Sequence, residues 1–129
     1  MKIEYLEAGA EDCPLIRLFG NEPTSVATLS EALMKLGRGE LTAVAVHDLP
    51  GFTSLSGCQL IARVGRKDNG IRKVDIPNVF ECILTKETWS QVAELTLPFC
   101  TPVDYDAHQW LDRTSNIFLL ITNNQKGRW

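Results

Sequence analysis

Asp104, Tyr105, Asp106, Ala107 and His108 follow one another in this chain. Extended, such a stretch would point Asp104, Asp106 and His108 to one side, because side chains alternate along a strand. Two carboxylates and an imidazole can hold a divalent cation or move protons. His47 and Asp48 could complete the set if the fold brings them near. The spacing matches no established metal motif. A small metal-dependent or carboxylate/histidine enzyme is therefore an alternative reading, with His47, Asp104, Asp106 and His108 as its residues.

A second constellation is electrostatic. Five of the thirteen basic residues, Arg63, Arg66, Lys67, Arg72 and Lys73, fall between Leu60 and Asp75. Only Asp68 and Asp75 oppose them there, so this window carries +3 while the remainder, with 8 basic and 14 acidic residues, carries −6. Clustered cations on an anionic body can meet an acidic protein surface or an anionic small molecule. A solvated hairpin is the plainer reading, because charge also keeps sheet edges from pairing. Nucleic acid is disfavoured: the net charge is −3, and no aromatic residue lies among these cations to stack on bases.

The four cysteines, Cys13, Cys58, Cys82 and Cys100, lack the short Cys-x-x-Cys spacing of structural zinc sites. Cys58 and Cys82 fall in phase with apolar neighbours and read as core. Cys100, between Pro98 and Pro102, is the thiol best placed for exposure, with His108 as a conceivable base. No nucleophile elbow, phosphate loop or dinucleotide fingerprint occurs. No cofactor is predicted, and catalysis has no positive signal. Trp129 ends a polar tail, NNQKGRW. It could fold back onto a sheet or anchor a homodimer interface, where Trp is enriched.

These residues need a scaffold. A chain of 129 residues with 44% hydrophobic and 22% charged residues fits one domain, 1–129, with a core of its own. The start lacks the apolar run of a signal peptide, and no stretch approaches a membrane span. A cytoplasmic home is expected, where the cysteines stay reduced.

Residues 2–8 and 13–19 read as a first hairpin. Val26, Leu29, Leu33 and Leu36 form a helical stripe, with Asn21, Thr24 or Ser25 as cap, Pro23 in the first turn and Gly37 or Gly39 as stop. Residues 41–47, apolar on both faces, read as a central strand. Asp48-Leu49-Pro50-Gly51 is a turn. Cys58–Val64 and Ile71–Val74 read as a cationic hairpin around Asp68-Asn69-Gly70. Val79–Leu84 follows as a strand. Thr85 caps a helix buried through Trp89, Val92 and Leu95, and 108–112 with 117–122 close a last hairpin. The order is ββαβββαββ: an α+β fold with a mostly antiparallel sheet of about seven strands and two helices. The leading expectation is a non-catalytic binding or regulatory module acting through the 63–73 basic hairpin. A structural homodimer is a further alternative.

Overall fold

The computed structural model describes residues 1–10 and 13–124. The fold is α+β, with two α-helices and nine strands in two mixed sheets among the described residues.

The first sheet begins with β1 (Lys2–Ala10) and β2 (Cys13–Phe19), antiparallel as their adjacency predicts. β8 (His108–Asp112) and β9 (Phe118–Thr122) form the closing hairpin. β9 then pairs in parallel with β2, and the two-residue β4 (Thr53–Ser54) pairs in parallel with β1, giving the order β4-β1-β2-β9-β8. Leu119, Leu120 and Ile121 of β9 are at most 3% exposed, as an unbroken apolar run between two neighbours requires.

The second sheet contains β3 (Ala43–Ala45), β5 (Gln59–Val64), β6 (Gly70–Lys73) and β7 (Val79–Leu84), in the order β3-β5-β7-β6. Two expectations fail here. β5 and β6 do not form a hairpin: β7 lies between them, parallel to β5 and antiparallel to β6. The cause is apolarity. Phe80, Cys82 and Leu84 of β7 are buried, and the intervening Val79, Glu81 and Ile83 are half-buried, so neither face of β7 is a polar one and its backbone gains a partner on each side. The 65–69 loop therefore crosses the end of β7, held by Gly65 N to Leu84 O and Asn69 N to Ile83 O, both 2.9 Å. The second failure is β3, which is an edge strand of three residues, not a central one. At Val46–Asp48 the backbone turns into a 3₁₀ helix. With three parallel pairings, the sheets are mixed and not mostly antiparallel.

The helix α1 spans Pro23–Gly37, with Pro23 at its first position and its polar N-cap place taken by Glu22, whose side chain makes no cap bond; Asn21, Thr24 and Ser25 do not cap it. The helix α2 spans Lys86–Thr96, and the Thr85 hydroxyl accepts the Thr88 N–H at 3.2 Å as a capping residue should. Trp89 and Val92 are buried, whereas Leu95 is 36% exposed and Thr96 takes its place inside. There its hydroxyl meets the Ser30 hydroxyl of α1 at 2.5 Å. The inward residues of both sheets and of both helices form one hydrophobic cluster.

Candidate functional site

β5, β7 and β6 lie side by side, and register decides where their charges go. Ile61, Glu81 and Arg72 are consecutive partners across the three strands, so they share a face. Arg63 lies two residues beyond Ile61 on that face. This is the outer face of the second sheet. Its residues Ala43, Ala45, Ile61, Val79, Glu81 and Ile83 are half-buried, whereas their inward neighbours Leu60, Ala62, Phe80, Cys82 and Leu84 are at most 1% exposed.

Glu81 stands between the two arginines. Arg63 donates its Nε–H to Glu81 Oε2, and Arg72 donates Nε–H and Nη2–H to Oε1 at 3.2 and 2.8 Å. The Glu81 side chain is 14% exposed, against 48% for Arg63 and 66% for Arg72. Bonds from Arg72 and then Arg63 hold the Glu81 carboxyl below the usual carboxylate range. The result is a clamp of two guanidinium groups on one carboxylate, with a surplus of one positive charge.

The other three cations diverge. Arg66 and Lys67 are exposed on the 65–69 loop and pair with no carboxylate among the described residues. The same loop turns Asp68 toward the start of α2. Its carboxylate accepts Thr85 N–H and Thr88 O–H, each at 2.8 Å, which lowers its pKa, the Thr85 amide first. Lys73 points to the opposite face of the sheet, where its ammonium lies 5.4 Å from the centre of the Tyr5 ring. The five cations are thus a clamp, a loop pair and an isolated lysine. A charge census of one segment shows the cations, but Glu81 enters the cluster only through the insertion of β7.

The His47 ring is half-buried and accepts the Leu60 N–H at Nδ1, 3.1 Å, continuing the ladder where β3 ends. Its Nε2 faces Asp48 at 3.6 Å. Asp104 and Asp106 are exposed on a segment with bends at 104 and 105, so the alternation that would align them with His108 is broken. Among the described residues, no three His, Cys, Asp or Glu side chains gather as a metal-holding group, and His47, Asp104, Asp106 and His108 are not assembled.

Cys58 and Cys82 are core thiols. Burial, then the charge of Glu4, pushes Cys58 up to about 11; burial, followed by the charges of Asp112 and Asp68, also raises Cys82 well above the ordinary thiol value. Both stay protonated and unreactive. Cys100 is half-buried, 3.4 Å from the Ser30 hydroxyl and 3.8 Å from the Thr96 carbonyl. Trp129 lies outside the described residues.

Sequence reasoning missed Asp112. It is 7% exposed; Thr114 donates its hydroxyl to Oδ1 at 2.5 Å, while Oδ2 is buried with no hydrogen-bond partner among the described residues. Burial raises its pKa against the opposing Thr114 bonds, and the Asp68 charge adds to the rise. The only sequence signal was its place at the end of the expected 108–112 strand; the irregular register between Trp110 and Asp112 is a feature of the structure.

Among the described residues, no helix is long and apolar enough to cross a membrane. The chain matches no protein-family model, and no curated protein or solved structure matches it either. What the geometry defines is a class, an α+β domain of two mixed sheets with one sheet face carrying an arginine–glutamate–arginine clamp.

Proposed function

We propose that the chain is a non-catalytic binding module of the cytoplasm, and that the outer face of the second sheet receives an acidic protein surface. The clamp carries this reading. Arg63 meets Glu81 through Nε, so its Nη groups are not spent on that carboxylate. The guanidinium groups stand among half-buried Ile61, Val79 and Ile83. Arginine set in an aliphatic surface is the composition of interface anchors. Arg66 and Lys67 at the rim would speed encounter with an acidic partner more than they would tighten it. The free thiols of Cys58, Cys82 and Cys100 suit a reducing compartment.

The test is a titration of the isotopically labelled protein with a glutamate-rich peptide, followed by amide NMR. Shifts concentrated at Ile61, Arg63, Arg72, Glu81 and Ile83, lost in Arg63→Glu/Arg72→Glu and suppressed by salt, are expected. Shifts spread over the surface, or unchanged in the double variant, would remove the clamp from any binding role.

A further inference from the structure

Among the described residues β3 has a partner strand on one side only, and its other side faces a groove. Val64 N donates to Thr42 O at 3.0 Å. Since Thr42 and Val44 lie opposite Val64 and Ala62, that bond fixes the phase of the antiparallel pair. Thr42 and Val44 direct their backbone groups to β5; Ala43 and Ala45 direct theirs away from it. On that free side, Thr28, Glu31, Ala32 and Lys35 of α1 come next. They recur at the spacing of one helix face. Between strand and helix lies a groove of about 380 Å³. Ala32 and Val44, 9% and 8% exposed, form its floor, and Leu41 and Leu49 border it. The alanines leave the space open; any larger residue at 32, 43 or 45 would fill it.

We propose that this groove binds an extended peptide segment of a partner protein, added as a further strand beside β3, with a basic side chain directed to Glu31 and Asp48. Three features meet here. The backbone groups of Ala43 and Ala45 offer the hydrogen bonds that strand addition uses. The apolar floor takes alternate side chains of the incoming strand. The charge is complementary to a cation: Glu31 and Asp48 against Lys35, which is already 3.7 Å from Glu31. The Asp48 side chain is 77% exposed, and its neighbour His47 takes the Leu60 N–H at Nδ1, which leaves the proton of a neutral ring on Nε2. This surface adjoins the clamp face, since Ala43 lies opposite Arg63 and Ala45 opposite Ile61, but it uses the backbone edge of β3 and the carboxylates of Glu31 and Asp48 and not the guanidinium groups.

The experiment uses the full chain and two synthetic probes, acetyl-Val-Lys-Val-Lys-Val-amide and the same peptide with glutamate for lysine. Amide NMR should show Ala43 and Ala45 shifting and gaining exchange protection with the lysine peptide, with affinity about tenfold above that for the glutamate peptide. Ala43→Pro removes an outward N–H that β5 does not use, and should abolish the response. Ala32→Leu, which occupies the groove from the helix side, should abolish it too. A folded amide spectrum for either variant makes the loss interpretable, and the two act from opposite walls in case one fails to fold. No response at millimolar lysine peptide overturns the proposal. So does a response that survives Ala32→Leu in a folded protein, or protection of Ala43 and Ala45 that rises with protein concentration without peptide, which would assign the edge to a second copy of the chain.

Discussion

Trp89 donates its indole N–H to the carbonyl oxygen of Arg63 at 2.8 Å. The residue that grips Glu81 on the outer face of the sheet is thus fixed from within by α2. Trp89 is 1% exposed, and its ring belongs to the same hydrophobic cluster as Leu60 and Phe80. Trp89→Phe keeps much of the apolar volume and deletes the donor. It should cost about 1–3 kcal/mol, the range for leaving a buried polar group without its partner. Urea unfolding would measure it. A midpoint unchanged from the parent would show that the indole bond does not hold β5.

The clamp has a pH signature. Glu81 titrates below the ordinary carboxylate range in the folded chain because Arg72 and Arg63 bond it. Its contribution is present above the unfolded-state value, near 4, and is lost as pH falls through the depressed folded value. Glu81→Gln should therefore flatten the acid limb of stability while leaving two unneutralised arginines on the face. Chemical unfolding from pH 7 down to about 2 gives the curve. An acid limb of the same slope in the variant would mean that the carboxylate is not linked to folding.

Much of this fold was readable in the sequence because some signals are local. The Thr85 cap, the Val79–Leu84 strand and the 108–122 hairpin depend on neighbours in sequence, and all form where expected. The turn expected at Asp48-Leu49-Pro50-Gly51 forms one residue later, at Leu49-Pro50-Gly51-Phe52, where Gly51 has φ +87° and Phe52 N bonds Leu49 O at 3.0 Å. Strand order is not local. Ile71–Val74 follows a turn sequence after Val64, and a hairpin is the short-range inference. The apolar pattern of Val79–Leu84 competes for the same edge of β5 and takes it. The candidate site changed with that exchange, because it put Glu81 between Arg63 and Arg72 and turned Lys73 away. Val44 and Val46 are buried on a strand end, where the helix α1 and the 3₁₀ turn cover them, so their apolarity was misread as a central position.

Helix packing gives a third test. A methyl at Gly37, the last residue of α1, would collide with Ser90 Oγ and lie 3.0 Å from Ser90 N and 3.1 Å from Ser90 Cα of α2. Alanine is the better helix former by roughly 0.8–1.0 kcal/mol in a helix interior. Here Ser90 of α2, its hydroxyl first and its backbone next, blocks that gain. Gly37→Ala should lower the melting temperature, and Ser90→Ala should restore part of the loss, because it removes the hydroxyl that stands nearest while the tight backbone contacts remain. A more stable Gly37→Ala variant would show that α1 and α2 can separate without loss.

Asp112 supplies the opposite pH dependence to Glu81. Its pKa is raised because its carboxylate is buried, with Oδ2 lacking a partner among the described residues and the Asp68 charge nearby. The folded chain then holds this proton more tightly than the unfolded chain does. Stability contributed by the protonated form is full below the unfolded-state value and falls as pH rises through the folded value. Asp112→Asn keeps the oxygen that Thr114 bonds and removes the charge. It should make the protein more stable than the parent at pH 7 and no different at pH 3, after allowance for the Glu81 limb that both share. Ser115 strengthens the case that this corner matters: its hydroxyl donates to Ile71 O at 2.6 Å, and Ile71 pairs with Ile117, so the two sheets meet beside the buried carboxyl. If Asp112→Asn is less stable at pH 7, the carboxylate is being stabilised in the folded state, and the burial of Oδ2 is not what governs its titration.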